Sequence, residues 1–205
     1  FITTLRPGEG LTIELHNINY CTADMYRNAL TTAGITDARV VVSAPYPVSG
    51  TGALTGVYKA YEDITGVSLN ELATLVGAEE LVLTGELSEY IGSAEASEII
   101  GELKGILDQT QSMTDDQVKS EIRAIAAAYN VSLTEGQIGK LVSLCRKLEG
   151  LDEAQLQSKL TGLAKTAEGA NKVAETVNRV YENVKTFFES VGEFFKNLFS
   201  GEWRS

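Results

Sequence analysis

The sequence has few of the residues that build metal clusters and disulfide frameworks. Its 205 residues include one histidine, His16, and two cysteines, Cys21 and Cys145. Two cysteines form no disulfide framework, and with one histidine they cannot make a conventional zinc site unless carboxylates supply most of the ligands. We therefore expect no metal and no cofactor. Whether the two cysteines form a single bridge stays open at this stage.

Basic residues are also scarce. Lysine and arginine number 17 against 28 aspartates and glutamates, which gives a net charge of −11. Binding to a phosphate backbone depends on basic clusters, so we expect no nucleic-acid partner. Residues 68–110 alone hold nine acidic residues and one basic residue. Because no D-x-D-x-D-G calcium loop is present, we interpret this segment as a solvated helical face.

Long apolar runs are absent as well, and no stretch of about 20 apolar residues could span a bilayer. The hydrophobic fraction of 43% is typical of a globular chain that buries a core. The sequence starts with Phe1 and shows no charged and apolar leader. From this we expect a processed or truncated chain whose targeting segment has been removed.

Strand-like and helix-like segments alternate in the first half of the chain. Two β-prone runs, residues 1–5 and 11–15, flank a turn that contains Pro7, Gly8 and Gly10, which predicts a β-hairpin. The β-branched run 38–44 predicts a further strand, and Pro45 and Pro47 should end it. A helix is predicted from an N-cap at Thr22 to Gly34, and another from a cap at residues 49–51 to Gly66.

This alternation predicts an α/β or α+β fold, a layered βαβα unit with a small sheet and a right-handed crossover. The rest of the chain is predicted to be helical, with a short helix at 68–76 and an ambiguous segment at 81–84 that also fits a strand. Thr114 and Gln117 form a capping box that starts a helix, and the polar segment 109–113 before it is the candidate boundary. We expect an α/β domain at 1–110, which lacks an N-terminal segment, a helical subdomain at 111–168, and a long amphipathic helix with a tail at 169–205.

The turn after the predicted strand 38–44 is the best candidate site, and its residues are Ser49, Gly50, Thr51 and Gly52. It leads into a helix N-terminus, where free N–H groups and the helix dipole can hold a phosphate or carboxylate. Its glycine spacing matches neither G-x-G-x-x-G nor a P-loop, so a simple tight turn is the alternative. Ligands of open α/β sheets bind beyond the carboxyl ends of the strands, which adds Asn17, Asn19 and Thr22 as neighbours.

Catalytic residues do not stand out. A triad of Ser49, His16 and either Asp24 or Asp37 can be written down, but the nucleophile elbow G-x-S-x-G is absent. An ordinary histidine on a polar face is the simpler interpretation of His16. Acidic residues are plentiful, yet no spacing points to a pair of glycosidase carboxylates. We name no catalytic residue.

The last predicted helix, residues 171–200, carries an apolar stripe with doubled aromatics at Phe187, Phe188, Phe194 and Phe195. Three interpretations stay open for this stripe. It packs on its own domain, it pairs with a partner helix or with its own copy, or it lies on a membrane surface. The third is disfavoured because its polar face lacks the excess of lysine and arginine that anionic lipids attract.

Several long strings resemble one bacterial family. They are HNIN at 16–19, TADMYRNALTTAGI at 22–35, PYPVSGTGALTGVYKAYE at 45–62, EELVLTGEL at 79–87 and LTEGQI at 133–138. Together they resemble the domain of unknown function 1002 family over about residues 5–150. The resemblance implies a secreted or cell-envelope protein of Gram-positive bacteria that is made with a signal peptide and a further N-terminal segment. It implies no established activity, so it transfers no catalytic residue.

The leading hypothesis is a binding or structural interaction module with an unknown protein, peptide or cell-wall partner. One alternative is an extracellular hydrolase that uses His16 or acidic residues. The other is a host-protein-binding or self-associating factor that acts through the C-terminal helix.

Overall fold

The computed structural model describes the backbone of residues 1–161 and the side chains of residues 1–151. In chain order the elements are β1 (Ile2–Thr4), β2 (Leu11–Ile18), α1 (Ala23–Thr32), β3 (Ala38–Val48), α2 (Ala53–Thr65), α3 (Glu71–Ile91), α4 (Ser93–Gly105), α5 (Leu107–Thr110), α6 (Asp115–Ala128) and α7 (Glu135–Thr161). A small mixed sheet with helices packed on it confirms the predicted fold class.

The three strands lie in the order β1-β3-β2, with β2 parallel to β3 and β1 antiparallel to it. The predicted hairpin between β1 and β2 is therefore wrong, because β3 lies between them. The turn between β1 and β2 instead crosses the start of β3. There the Asp37 carboxylate accepts hydrogen bonds from the N–H groups of Gly8 and Gly10, both at 2.8 Å.

Strand β3 does not end at the prolines but continues through Pro45 and Pro47 to Val48. The pairing with β2 slips in this stretch, since His16 lies opposite Ser43 whereas Ile18 lies opposite Val48. Both prolines thus lie in an irregular segment where no regular ladder bond is required of them, which removes the cost of a missing N–H.

The sheet buries one face. Helix α1 packs against β2 and α2 against β1, and the apolar cluster between these helices and the sheet includes Tyr26, Leu30, Val40, Val42 and Leu54. The other face carries exposed polar side chains, namely Thr3, Thr12, His16, Arg39 and Ser43. The Arg39 guanidinium also donates a 2.7 Å hydrogen bond to Glu14 on this open face and holds the pKa of that carboxyl below its usual value.

Helix α3 lies between two apolar clusters. Leu81 packs in the sheet cluster, whereas Val76, Leu83 and Leu87 belong to a second cluster formed with α4, α6 and α7. The short helix at 68–76 and the alternative strand at 81–84 are both wrong, because residues 71–91 form one helix. A helix that is buried on several sides lacks a clean apolar stripe, which is why its sequence did not show the helical period.

Helix α6 begins at the predicted capping box, which is confirmed. The Thr114 hydroxyl accepts from the Gln117 N–H at 3.4 Å, and the Thr114 N–H donates to the Gln117 side chain at 2.8 Å. Arg146 of α7 binds the polar segment 109–113 by donating to the carbonyls of Thr110 and Met113, at 2.9 and 2.7 Å.

Residues 1–153 make one compact unit. The predicted domain limits at residues 110 and 168 stay predictions. Among the described helices, none has the length and apolar character needed to cross a bilayer.

Candidate functional site

The turn at residues 49–52 joins the end of β3 to the start of α2, and Gly50 sets its shape. Gly50 is buried with a φ of 91°, a conformation that side chains other than glycine rarely adopt. A Cβ at this position would also lie 2.6 Å from Cγ2 of Ile18 and 3.0 Å from the Tyr26 hydroxyl. Both observations require glycine at this position.

Buried hydrogen bonds hold the turn in place. The Gly50 carbonyl accepts from the hydroxyl of Tyr26, which is fully buried in α1, and from the N–H of Ala53 at 3.0 Å. The Ser49 carbonyl accepts from the N–H of Cys21 at 3.0 Å. Tyr26 was not among the predicted site residues, because nothing in the sequence shows that it reaches a turn 24 residues away.

The predicted side-chain cap at residues 49–51 is wrong. Helix α2 has Gly52 as its N-cap, and no side chain caps it. The Ser49 and Thr51 hydroxyls lie 3.3 Å from each other. Within the described part of the chain, the N–H groups of Thr51 and Gly52 have no hydrogen-bond partner. An uncapped helix N-terminus with unpaired N–H groups carries the positive end of the helix dipole.

The turn is open to solvent at Gly52. This residue is exposed, and a Cβ built on it would meet no atom within 4 Å. Thr51 beside it is half-buried. A ligand group can therefore approach the backbone of the turn from solvent.

The three predicted neighbours of the turn have different hydrogen-bond partners. The N–H of Asn19 donates to the carbonyl of Val48 at 3.0 Å, and the Asn19 side chain is exposed. The Asn17 side chain is engaged elsewhere, since it donates to the carbonyl of Ala44 at 2.7 Å. The Thr22 hydroxyl accepts from the Met25 N–H at 3.2 Å and caps α1, as its sequence position predicted.

The two residues after Asn19, Tyr20 and Cys21, are half-buried and buried. Tyr20 contacts α3 at Gly85, where an added Cβ would lie 2.6 Å from the tyrosine ring. Burial, followed by the charge of Glu89, raises the pKa of Tyr20 to about 12. Burial likewise raises the pKa of the Cys21 thiol to about 12, so this cysteine is a neutral packing residue at physiological pH.

The residues of the candidate triad have other surroundings. Asp37 lies at the start of β3, and its pKa is lowered by the Gly10 N–H and then by the Thr36 hydroxyl. His16 pairs with Ser43, five residues further along β3 than Ala38, which is roughly 16 Å of strand. Asp24 forms an ion pair with Arg27. The described geometry therefore assembles no hydrogen-bonded series from Ser49 through His16 to either aspartate.

The acidic segment 68–110 is not wholly a solvated face, which corrects that interpretation. Glu79 and Glu80 are buried, and each faces a lysine. Lys147 donates to the Glu79 carboxylate at 2.6 and 2.7 Å, and Lys104 donates to Glu80 at 3.1 Å. Two adjacent acids inside an otherwise apolar stretch are the signal in the sequence that could have indicated internal pairing.

Three further points from the sequence concern the cysteines, a metal site and the C-terminal aromatic residues. Both cysteines are buried and free, so the open question of a bridge between Cys21 and Cys145 is answered. In the described part of the chain, no group of three or more His, Cys, Asp or Glu residues could hold a metal ion. The predicted partner-binding residues Phe187, Phe188, Phe194 and Phe195 lie outside the described residues.

Comparisons with known proteins agree with the resemblance seen in the sequence. The sequence model of a family described as "Protein of unknown function (DUF1002)" matches residues 1–166. The uncharacterized protein YpuA of Bacillus subtilis (strain 168) is 38% identical over 185 residues, which cover 83% of this chain and 62% of that protein. The chain thus spans about 62% of the length of this relative. No solved structure matches.

Proposed function

This chain belongs to the DUF1002 family of proteins of unknown function, and from that premise we propose that it is a binding module secreted to, or held at, the bacterial cell envelope. The ligand binds at the turn formed by residues 49–52. The observation that carries this proposal is the uncapped N-terminus of α2, where two N–H groups without a partner among the described residues lie on a turn that hydrogen bonds hold in place.

The chemistry of the turn favours a carboxylate. Unpaired N–H groups at a helix N-terminus, with two hydroxyls beside them, are donors for one small anionic group. The net charge of −11 repels highly charged anions at long range, which argues against a polyphosphate. We therefore propose the carboxylate of a peptide terminus, either free or part of a cell-wall fragment.

An exposed aromatic residue supports a peptide ligand. Tyr46 is 67% exposed and stands between Pro45 and Pro47, only a few residues before the turn. The two prolines restrict the backbone on both sides of the tyrosine. An exposed aromatic side chain upstream of the turn offers an apolar contact to the residues that precede a terminal carboxylate.

A thermal-shift screen tests the proposal. Its ligands are short peptides with a free C-terminus, the same peptides with an amidated C-terminus, cell-wall fragments, inorganic phosphate and calcium. At 100-fold above its dissociation constant a ligand adds about 2.7 kcal/mol, which moves the midpoint by several degrees. We expect a shift with free peptides and none with their amidated forms. Equal shifts with both forms would reject the carboxylate.

Matched variants locate the site. A side chain at Gly52 has room in the fold but covers the N-terminus of α2, so Gly52→Val should abolish the shift. Gly56→Val is the control, because Gly56 lies one turn further along α2, and a Cβ there also meets nothing within 4 Å. Ser49→Ala should weaken binding without unfolding the protein. Normal binding by both Gly52→Val and Ser49→Ala would place the ligand elsewhere.

The location has a test of its own. Immunoblots of culture supernatant, cell wall and cytosol from the producing bacterium should find the protein outside the cytosol, beside a cytosolic marker as control. A wholly cytosolic signal would reject the envelope assignment and leave the binding site to be judged by the screen.

A further inference from the structure

Within the described part of the chain, the backbone hydrogen-bonding groups on the outer edge of β2 have no partner. The strand order places β2 at the edge of the sheet, with β3 as its single neighbour among the described strands. The Ala38 N–H of β3 donates to the Gly10 carbonyl at 3.2 Å. This hydrogen bond shows which residues of β2 direct their backbone groups toward β3. Even-numbered residues of β2 therefore bond to β3, and the N–H and C=O groups of Leu11, Ile13 and Leu15 point away from it.

This edge has few of the devices that keep strands from pairing with other chains. Sheet edges are protected by prolines, lysines, bulges or short length. Between Leu11 and His16 the strand has no proline, no lysine and no glycine, and its irregularity begins only at Asn17, whose φ is 57°. By contrast, the irregular stretch of β3 carries Pro45 and Pro47. A regular unprotected edge of this length is typical of an interface.

We propose that β2 pairs antiparallel with β2 of a second copy of this chain, with Ile13 opposite Ile13 of that copy. In this register all three outward-pointing residues form hydrogen bonds, because Leu11 lies opposite Leu15 of the second copy and Leu15 opposite Leu11. The two sheets then join into one sheet across a two-fold axis. Such an interface is isologous and closed, so it gives a dimer and not a fibre.

The side chains of β2 fit this register on both faces of the sheet. The half-buried Leu11 and Leu15 point to the helix-covered face, where they meet as apolar cross-strand pairs. On the open face, Thr12 meets Glu14 of the second copy, twice by symmetry. If one strand moved by two residues along the other, Glu14 would lie directly opposite Glu14 of the second copy, and like charges in that position repel. Charge thus disfavours this shift. In the opposite shift Thr12 would lie opposite Thr12, and both charge variants at Thr12 would then weaken the dimer.

A pair of charge variants at Thr12 tests the proposal on the full chain. Thr12 is exposed on the open face and points away from the core. Thr12→Lys places a cation opposite Glu14 of the second copy and should tighten the dimer, whereas Thr12→Glu opposes two carboxylates and should weaken it. Each cross-strand pair counts twice, so we expect dissociation constants that differ by roughly threefold or more in each direction.

The control variants are Thr3→Lys and Thr3→Glu. Thr3 is exposed on the same face but lies on β1, two strands away from this edge. They change the net charge as the Thr12 variants do, and they should leave the dissociation constant unchanged. Sedimentation velocity up to roughly 1 mM protein covers the weak affinity expected of a small interface.

Amide exchange gives a second measurement at residue resolution. On dilution below the dissociation constant, the amides of Leu11, Ile13 and Leu15 should lose protection, whereas those of Thr12 and Glu14, which bond to β3, should keep it. A chain that stays monomeric at roughly 1 mM overturns the proposal, and so does a dimer that responds equally to the Thr3 and Thr12 variants. Protection of the three amides in a monomer means that another segment covers the edge, which also overturns it.

Discussion

At the scale of residues, a buried ion-pair network joins three helices. Lys104 of α4 donates to the Glu80 carboxylate of α3, to the hydroxyl of Thr32 at 2.8 Å and to the carbonyl of Asn28 at 2.9 Å, both on α1. Thr32 also donates to Glu80. The Glu80 side chain is fully buried, and the lysine supplies the charge that permits this burial.

Removal of one partner of this pair should cost much of the stability. Glu80→Gln leaves the Lys104 ammonium without its counter-charge, and we expect a loss of about 3 kcal/mol in the free energy of unfolding. The measurement is urea unfolding followed by circular dichroism. Asp63→Asn is the matched control, because it breaks the exposed pair of Lys59 and Asp63 and should change little.

A double replacement separates charge from shape. Glu80→Leu combined with Lys104→Met removes both charges, so it should recover a large part of the stability lost in Glu80→Gln. If Glu80→Gln alone unfolds at the wild-type urea concentration, the pair does not hold the three helices together.

The two thiols give a prediction on pH. Burial raises the pKa of Cys145 to about 11 and that of Cys21 to about 12, both above the ordinary value of 9.0. The folded state thus favours the neutral thiol. Its contribution to stability is intact below pH 9 and is lost as the pH rises toward 11, because the unfolded chain ionises first.

Alkylation with iodoacetamide at pH 8 measures this protection. A pKa raised from 9 to 11 lowers the thiolate fraction by roughly 100-fold, and burial restricts access further, so Cys145 should react at least that much more slowly in the folded chain than in urea. Rapid labelling of the folded protein would show that the cysteine packing described here is wrong.

At the scale of elements, small residues set the distance between helices. Gly77 of α3 lies so close to α1 that an added Cβ would be 2.6 Å from the Ala29 carbonyl oxygen and 2.7 Å from the Tyr58 hydroxyl. The Tyr58 hydroxyl itself donates to that carbonyl at 3.3 Å. The neighbour that must move is backbone, which cannot rotate away as a side chain could.

Gly77→Ala should therefore destabilise the fold, by about 1–3 kcal/mol, although alanine is the better helix former. Gly101→Ala in α4 is the control, because a Cβ there meets nothing within 4 Å, and it should stabilise by about 0.5–1 kcal/mol. Thermal unfolding of both variants gives the comparison. Stabilisation by both substitutions would contradict the close approach of α1 and α3.

Local signals in the sequence predicted several elements well. The caps at Thr22 and Thr114 depend on side chains three residues away, and both are confirmed. Long-range pairing was beyond such signals. The position of β3 between β1 and β2 depends on contacts such as Asp37 with Gly8 and Gly10, and a pattern read along the chain does not contain them.

The same limit applied to the candidate site. The glycines of the turn and the strand before it indicated its place, because turn chemistry is local. Tyr26 of α1 contacts Gly50 only when α1 packs beside the turn. Lys104 of α4 contacts Glu80 of α3 only when these two helices pack together. The sequence therefore predicted where a ligand group could meet the backbone but not what holds that backbone rigid.

At the scale of the whole molecule, the two proposed surfaces have different roles. We propose that the turn at the carboxyl end of β3 binds one anionic group through backbone donors, and that the outer edge of β2 pairs with a second copy. They lie on different strands, so binding at the turn does not require the edge. Thr12→Glu should accordingly weaken the dimer without loss of the ligand-induced thermal shift.

The central claim is that a carboxylate binds at the turn formed by residues 49–52, and the most direct test is an NMR titration of the ¹⁵N-labelled chain with a short peptide that has a free C-terminus. We predict saturable shifts of the Thr51 and Gly52 amides, which are absent with the amidated peptide and in Gly52→Val and retained in Gly56→Val. Saturable shifts confined to other residues, or equal shifts with the amidated peptide, would contradict the claim.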